Sequence, residues 1–223
     1  MNIQYYGHSC FKITTKPEGR ATQEVVIFLD PFEKSIGLRP PTGKADLVLC
    51  THKHYDHHNV SAIKPKEKND KLLVLDTPGE YSVKKVDIIG IDSFHDKENG
   101  KERGRNTIFV LNTENIKLVH LGDLGTDLST EQREKLGEVD VLMVPIGGKY
   151  TIDGKEASML IRKVEPHLII PMHYKVKGLK IDIADEKEFC GEMGNCPQEK
   201  VNKISLKKKD LAEKNMEIVL MRA

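Results

Sequence analysis

The chain has 223 residues, of which 38% are hydrophobic and 31% are charged. This length suits one domain with a sizeable core, and the composition excludes a membrane-embedded protein because the longest apolar run, near 25–29, is far shorter than the ~20 residues that span a bilayer. The 35 Lys and Arg residues nearly balance the 34 Asp and Glu residues, for a net charge of +1, so a nucleic-acid partner is not expected.

Short apolar runs bounded by Gly, Pro, Asn and Asp predict strands along most of the chain. In chain order they are 3–6, 10–14, 24–29, 47–50, 72–75, 86–91, 107–112, 117–121, 141–144, 168–171 and 217–221. Helical periodicity predicts helices at 130–136 and 155–164, with a further candidate at 185–193. Asp153 with Glu156 predicts an N-cap for the second helix, whereas Thr130 with Arg133 predicts no capping box for the first.

The order of these elements predicts the fold class. Many strands come first, and strands then alternate with helices, which is typical of an α/β protein with two packed sheets and helices outside. We expect a single domain over residues 1–223. The segment 175–202 has few apolar residues and is interpreted as a polar insertion, and the lysine run 207–209 as a solvated turn.

Four cysteines stand at positions 10, 50, 190 and 196, and no pair has the CxxC spacing of a zinc ribbon or redox motif. The N-terminal residues show neither a basic nor an apolar targeting segment, which predicts a cytoplasmic protein with reduced thiols. A bridge between Cys190 and Cys196 is the alternative in an oxidising compartment.

The densest group of metal-binding residue types follows the strand predicted at 47–50. The segment 51–58, THKHYDHH, contains the pattern H-x-H-x-D-H. His52 and His54 are two residues apart, so in an extended segment they point to the same side and can chelate one divalent ion. Asp56 and His57 come where the chain must turn and can serve a second ion nearby. An exposed polar loop is the alternative, but four potential ligands at the end of an apolar strand favour a metal site.

Further ligands must come from other parts of the chain. His95, His120, Asp123 and His173 each lie at or just after the end of a predicted strand. Side chains at strand ends along one edge of a sheet can converge on a common site. These four residues are therefore candidates to complete a site for two metal ions.

At these residues the sequence resembles the metallo-β-lactamase superfamily. The segments that carry the resemblance are Thr51-His52-x-His54-x-Asp56-His57, Phe94-His95, Leu121-Gly122-Asp123 and Pro171-Met172-His173-Tyr174. Gly7-His8-Ser9, Asp30-Pro31 and Gly147-Gly148 are most similar to the branch of ascorbate-6-phosphate lactonase-like proteins and related metal-dependent hydrolases. The resemblance covers the chain from about Tyr6 to Tyr174.

The resemblance implies an αββα four-layer sandwich, the metallo-β-lactamase fold, with two metal ions at one edge. It implies that His52, His54 and His95 hold one ion, that Asp56, His57 and His173 hold the other, and that Asp123 lies between them. His120 is the competitor of His95, but it still lies inside a predicted strand and could instead orient a ligand through a hydrogen bond.

Besides His120, the residues Asp30, His8 and Tyr174 are candidates for supporting or substrate-facing roles. Asp30 follows a predicted strand and is interpreted as orienting the loop of His52 and His57, with a plain turn residue as the alternative. His8 is either a pocket residue or a turn histidine. Tyr174, His8 or a water molecule could protonate the leaving group. The charged loop 97–105 is interpreted as a solvated hairpin tip, or as a cover that offers Arg103 or Arg105 to an anionic substrate.

The function predicted is that of a metal-dependent hydrolase. A hydroxide that bridges two divalent ions would attack a carbonyl or phosphoryl centre of a lactone, ester or phosphodiester, and Asp56 or Asp123 would orient the attacking oxygen. Zinc is favoured, with manganese or iron as alternatives. The partner expected is a small-molecule substrate, and the oligomeric state is left open. A non-catalytic or redox metal-binding protein of the same fold is the alternative.

Overall fold

The computed structural model describes residues 1–17, 23–67 and 70–223. The first seven strands are β1 (Asn2–Gly7), β2 (Cys10–Thr15), β3 (Val25–Leu29), β4 (Gly43–Ala45), β5 (Leu47–Leu49), β6 (Ile63–Pro65) and β7 (Leu73–Leu75). The others are β8 (Gly79–Val83), β9 (Val86–Phe94), β10 (Arg105–Thr113), β11 (Ile116–His120), β12 (Val141–Pro145), β13 (Leu168–Met172), β14 (Lys203–Ser205) and β15 (Glu217–Ile218). The α-helices are α1 (Thr130–Leu136), α2 (Gly154–Val164), α3 (Lys187–Met193) and α4 (Lys208–Leu211).

Two mixed sheets form the frame. Sheet 1 has the order β14-β1-β2-β3-β5-β7, and sheet 2 has the order β15-β13-β12-β11-β10-β9-β8. In sheet 1, β3, β5 and β7 pair in parallel, and in sheet 2, β11, β12, β13 and β15 do so. Because β9 and β11 both run antiparallel to β10, the carboxyl end of β9 lies at the same edge of sheet 2 as the carboxyl ends of β11, β12 and β13.

The alternation of side chains along the strands divides the apolar residues into layers. In β10, Phe109 faces the core between the two sheets, whereas Ile108 faces the layer outside sheet 2. In β3, Ile27 faces the central core and Phe28 faces the layer outside sheet 1. Each sheet thus buries both of its faces, which explains why several strands are apolar at every position.

The two outer layers differ in how they are covered. Helices α1, α2 and α3 contribute apolar residues to the layer outside sheet 2. Outside sheet 1, none of the described core residues belongs to an α-helix, and the cover comes from loops, short turns and β4 with β6. The predicted α/β fold of two packed mixed sheets is confirmed, with its helices placed mainly outside one sheet.

Most element boundaries agree with the sequence predictions to within one or two residues. β9 extends three residues beyond the predicted end and reaches Phe94. The prediction of no capping box for α1 is wrong, because the box is formed one residue earlier by Ser129 and Gln132. The cap predicted for α2 is confirmed by reciprocal hydrogen bonds between Asp153 and Glu156. The lysine run predicted as a turn includes the start of the short helix α4, where Lys208 pairs with the buried Asp140.

The prediction that all four cysteines are reduced is wrong for one pair. Cys190 and Cys196 form a disulfide that ties α3 to the loop after it, while Cys10 and Cys50 are free and buried. The segment 175–202 also packs more apolar surface than its composition indicates, since Phe189 is fully buried in the layer that includes α2. Among the residues that the structure describes, no helix combines the length and the apolarity needed to cross a bilayer.

Candidate metal centre

The residues predicted as ligands lie where strands of both sheets end. They are, in chain order, His52, His54, Asp56, His57, His95, Asp123 and His173. The segment that begins at His52 follows β5 of sheet 1, whereas His95 and His173 follow β9 and β13 of sheet 2 directly. The structure brings these strand ends together, so that the ligand atoms of His52, His57 and Asp123 lie within 4.8 Å of one another.

Two further groups of three residues satisfy the same distance. One is His52, His54 and His95, which matches the set predicted for the first ion. The other is His8, His57 and His173, in which His8 takes the place predicted for Asp56. Asp56 lies beside that group, with its Oδ2 atom 3.2 Å from His8 Nε2 and 3.7 Å from His57 Nε2. His8 is therefore inside the centre and is more than a turn residue.

The Asp123 carboxylate lies at the middle of the centre. Its Oδ2 atom is 3.2 Å from His57 Nε2, 3.3 Å from His95 Nε2 and 3.1 Å from His173 Nε2. The same oxygen is 4.0 Å from His52 Nε2. One carboxylate oxygen thus faces imidazoles from both predicted ion sites, as a carboxylate shared between two cations would.

Gly122 lets Asp123 reach this position. The backbone of Gly122 has a φ of +58°, and a Cβ atom there would lie 2.3 Å from Asn106 Oδ1 and 2.7 Å from the Thr51 side chain. The Asn106 oxygen is already used, because it accepts a hydrogen bond from the Asp123 backbone N–H at 2.9 Å. Only glycine combines this conformation with this close approach.

Asp30 forms hydrogen bonds with the loop that carries His52 and His57. Its fully buried carboxylate accepts hydrogen bonds from the backbone N–H and the hydroxyl of Thr51, both at 2.8 Å. The Oδ2 atom also accepts from His57 Nδ1 at 2.9 Å. The backbone of Asp30 has a φ of +44°. Residues other than glycine keep such a positive φ only when the surrounding structure stabilises it. His8 and His173 share this feature, with φ values of +57° and +51°.

Hydrogen bonds fix the orientation of two imidazoles. His57 donates through Nδ1 to Asp30, and His95 donates through Nδ1 to the backbone carbonyl of Tyr150 at 2.9 Å. In each ring Nε2 then lies towards Asp123, and His57 Nε2 is also 3.1 Å from His8 Nε2. An acceptor on the far nitrogen is the usual partner of a metal-binding histidine, because it selects the tautomer and raises ligand basicity.

Buried ring nitrogens without partners indicate what the centre is built to hold. Within the described part of the chain, His52 Nε2 is buried and has no hydrogen-bond partner, and the same holds for the Nδ1 atoms of His8 and His173, whose Nε2 atoms face the centre. A buried polar atom left unpaired costs free energy, and such atoms are rare outside functional sites. A divalent cation beside His52 Nε2 would remove this cost, and the imidazole and carboxylate donors around it are those that zinc and similar ions prefer. The residues therefore fit a metal ion.

The electrostatics of the centre lower the pKa of three of its imidazoles and raise that of His57. Burial lowers the pKa of His52 and of His95, and burial together with the neighbouring His173 lowers the pKa of His8 to about 4. His57 differs: burial lowers its pKa, but the carboxylates of Asp123, Asp30 and Asp56 raise it by more, so the net shift is upward. A metal ion at His57 therefore competes with a proton.

His120 makes supporting hydrogen bonds, whereas Tyr174 lies outside the centre. Both ring nitrogens of His120 are engaged, since Nε2 donates to the Ser9 carbonyl at 3.0 Å and Nδ1 accepts from the Gly122 N–H at 3.1 Å. This geometry leaves His95 as the third ligand candidate of the first site. The expectation that Tyr174 protonates a leaving group is wrong, because its hydroxyl donates to the Met221 carbonyl at 3.0 Å in the buried layer outside sheet 2.

Three contributors were missed in the sequence. Asn106 in β10 fixes the Asp123 backbone, and it also donates to Ser93 and to the Leu121 carbonyl. The Tyr150 carbonyl orients His95. The Ser9 hydroxyl donates to Asp123 Oδ1 at 3.5 Å. Only Ser9 carried a signal, since it belongs to the Gly7-His8-Ser9 segment that is part of the resemblance.

The centre opens into a pocket of about 550 Å³. Its lining includes the ligand candidates His54, Asp56, His95, Asp123 and His173. The other lining residues are Ser35, Ile36, Tyr55, Arg103, Tyr150, Lys180, Ile181 and Asp182. This volume is that of a small-molecule site. Residues 180–182 place the segment 175–202 at the pocket, although its composition indicated only an insertion.

Comparison with known proteins agrees with this geometry. The family model of the beta-lactamase superfamily domain matches residues 2–173. A UPF0173 protein from Pyrococcus furiosus is 30% identical over 210 residues, which cover 86% of this chain and 90% of the relative. A UPF0173 metal-dependent hydrolase from Thermococcus onnurineus is 27% identical over 197 residues, which cover 78% of this chain and 84% of the relative.

Solved structures show the same similarity. A crystal structure from Thermotoga maritima, assigned as a Zn-dependent hydrolase of the metallo-beta-lactamase superfamily, is 35% identical to the chain. It aligns with a TM-score of 0.73 and covers 99% of this chain and 97% of its own. The metallo hydrolase Igni18 from Ignicoccus hospitalis has the same fold at 21% identity and a TM-score of 0.63. The chain therefore belongs to the UPF0173 metal-dependent hydrolases of the beta-lactamase superfamily.

Proposed function

We propose that the chain is a hydrolase with two metal ions in one centre, acting on a carbonyl or phosphoryl group of a small molecule. His52, His54 and His95 would hold one ion, and Asp56, His57 and His173 would hold the other, with His8 beside them. Asp123 would lie between the ions. The observation that carries the proposal is the single Asp123 oxygen within 3.3 Å of three imidazole nitrogens.

The side chains of the centre divide the chemical work. When bound, the divalent ions would polarise the substrate oxygen and lower the pKa of water to about 7. Asp56 lines the pocket; burial raises its pKa, but His57 and His8 lower it by more, so it stays ionised. It can accept a hydrogen bond from an attacking water molecule and orient it. Asp30 and the Tyr150 carbonyl keep the imidazoles in place during turnover.

Zinc is the metal that we propose. The donor set consists of imidazoles and carboxylates, which suit zinc, and the similar Thermotoga maritima protein is assigned as Zn-dependent. Manganese and iron accept the same donors. Reconstitution with each metal separately, followed by activity measurement, ranks them.

Metal analysis with matched variants tests the centre. We expect about two zinc ions per reconstituted chain, as two-metal sites require. His54→Ala should lose one of them, and Asp123→Ala should weaken both. His167→Gln is the control, because His167 lies outside the centre, near Lys214, and it should bind zinc as the unchanged chain does.

An activity screen tests the reaction. Zinc-loaded protein is assayed on aryl esters, lactones and phosphodiesters, with the same three variants. Hydrolysis that disappears in His54→Ala and Asp123→Ala but persists in His167→Gln supports the proposal. Full turnover by Asp123→Ala would reject the assigned roles. Metal binding without hydrolysis of any class would favour the non-catalytic alternative, and metal-dependent oxidation or reduction would favour the redox alternative.

A further inference from the structure

Two cationic side chains line the pocket without belonging to the metal centre. Arg103 comes from the hairpin loop between β9 and β10, and Lys180 comes from the segment 175–202. The two parts of the chain are far apart in sequence, and the fold brings both charges to the pocket that also contains His54 and His95.

The loop that carries Arg103 is held by one carboxylate. Asp96 is 4% exposed, and its two oxygens accept four backbone N–H groups. The donors are Glu98 and Gly100 at 2.8 Å, Glu102 at 3.1 Å and Arg103 itself at 2.8 Å. The Gly104 carbonyl also accepts from the His95 N–H at 3.1 Å. The loop is therefore built to keep the Arg103 backbone in a defined place next to His95.

The Arg103 guanidinium group has N–H donors that remain available for a ligand. Its guanidinium carbon lies 5.2 Å from the centre of the Tyr150 ring, and Tyr150 is the residue whose carbonyl orients His95. A guanidinium that contacts an aromatic face keeps its edges available for planar acceptors. Its only ion pair among the described residues is a 3.4 Å contact with the exposed Glu102, which uses one of its five N–H donors.

The charges around Lys180 leave it available as well. No described carboxylate forms an ion pair with its ammonium group, and its backbone N–H is anchored to the Ile36 carbonyl at 2.7 Å. The acidic residue nearest in sequence, Asp182, also lines the pocket but pairs with Lys149. The other acidic residues of the pocket, Asp56 and Asp123, belong to the metal centre.

We propose that Arg103, assisted by Lys180, recognises an oxyanion on the substrate, so that the molecule hydrolysed carries a carboxylate or a phosphate group beside its scissile bond. This inference rests on the proposed hydrolytic function and names its substrate class. Arg103 binds the anion through its free guanidinium edge, and Lys180 adds a point charge. Asp96 is a positioning residue, which acts by holding the loop of Arg103.

Three aryl acetates that differ in one substituent test the proposal. They are 3-acetoxybenzamide, which is neutral, 3-acetoxybenzoate, which carries a carboxylate, and 3-acetoxyphenyl phosphate. Hydrolysis by the zinc-loaded chain is compared with that by Arg103→Gln and Lys180→Gln. Arg105→Gln and Lys177→Gln are matched controls, because Arg105 is an exposed residue paired with Asp92 and Lys177 is exposed, and neither lines this pocket.

The quantity to compare is the kcat/KM for each anionic ester divided by the kcat/KM for the neutral ester, 3-acetoxybenzamide. Arg103→Gln should lower this ratio about tenfold or more, the worth of one charge-assisted hydrogen bond, and Lys180→Gln should lower it less. The carboxylate and phosphate esters distinguish the two oxyanions. A ratio unchanged in Arg103→Gln, or lowered equally in Arg105→Gln, overturns the proposal.

A binding measurement separates this inference from the proposed function. The products 3-hydroxybenzoate and 3-hydroxybenzamide are titrated into the zinc-loaded chain by calorimetry. Preference for the benzoate that disappears in Arg103→Gln supports the anion site even if no ester is hydrolysed, in which case only the hydrolytic function fails. Equal binding of both products by the unchanged chain overturns the anion site even if the esters are hydrolysed.

Discussion

Asp30 and His57 form a fully buried pair in which the carboxylate Oδ2 accepts the Nδ1–H of the imidazole at 2.9 Å. The same carboxylate also holds Thr51 at the start of the ligand loop. Asp30 therefore sets both the path of the loop and the direction of the His57 Nε2 atom. It directly follows β3, which pairs with β5, the strand that precedes the ligand loop.

Replacing Asp30 should weaken metal binding, although Asp30 is not itself one of the proposed metal ligands. Asp30→Asn keeps the shape but places an N–H₂ group where the carboxylate accepts hydrogen bonds, so His57 loses its fixed orientation. We expect zinc affinity to fall about 10- to 100-fold, the usual effect of removing such a partner, in a competition titration with a chromogenic chelator. Asp76→Asn is the control, because Asp76 pairs with Lys53 and His58 at the edge of the same loop. Unchanged affinity in Asp30→Asn would contradict this role.

Zinc affinity should rise with pH. The carboxylates around His57 raise its pKa above the ordinary value of 6.5, so the metal-free chain keeps a proton there near neutral pH. A bound metal ion expels that proton, which means that the metal-free state binds more protons than the loaded state and that acid favours it. Affinity measured between pH 6 and 9 should increase until His57 is deprotonated and then level off. In Asp30→Asn the rise should move to lower pH, because one of the carboxylates that raise the pKa of His57 is gone. An identical pH profile would contradict the assignment of the rise to His57.

Gly122→Ala should destabilise the chain and disturb Asp123. The added Cβ atom meets Asn106 and Thr51 at 2.3 and 2.7 Å, and overpacking of this kind costs about 1–3 kcal/mol. Gly104→Ala is a matched control, because Gly104 also has a positive φ, +90°, but no atom of the described residues lies within 4 Å of the new Cβ atom. Urea unfolding should show the larger loss of stability for Gly122→Ala. Equal losses would mean that backbone strain alone, without the clash, explains the glycine.

The thiol chemistry of the chain follows from its one disulfide. Alkylation of denatured, unreduced protein should modify Cys10 and Cys50 and leave Cys190 and Cys196 unmodified. Alkylation after reduction should modify all four. Mass spectrometry of the intact chain distinguishes the two products, and four modifications without a reductant would show that the bond is absent from the isolated protein.

The sequence predicted what depends on local pattern. The apolar runs at 25–29, 141–145 and 168–172 are strands because both of their faces are buried, and a continuous apolar run signals this directly. The ligand loop could be predicted because four potential metal ligands occur within six positions after a strand. The alternation along β9 did not reveal its last three residues, since the polar Asp92 and Ser93 there pair with β10 rather than ending the strand.

What could not be predicted depends on contacts between distant residues. Tyr150 orients His95 through a backbone carbonyl, 55 positions away, and a carbonyl group carries no sequence signal. After the left-handed turn at His173, the next residue, Tyr174, packs in the layer outside sheet 2. Its position beside a ligand in the sequence therefore did not place it in the metal centre. The short strands β4, β6, β8 and β14 have few apolar residues and are set by their pairing partners.

The division of the centre between two sheets has a consequence for how the chain comes apart. His52 and His57 are fixed to one half of the sandwich, while His95, Asp123 and His173 are fixed to the other. Each of the two proposed ions would bind residues of both halves, His52 with His95 and His57 with His173, so the two sheets could not separate without releasing the metal. Removing the metal with a chelator should thus lower the melting temperature of the entire chain, and its effect should not be confined to the ligand loop.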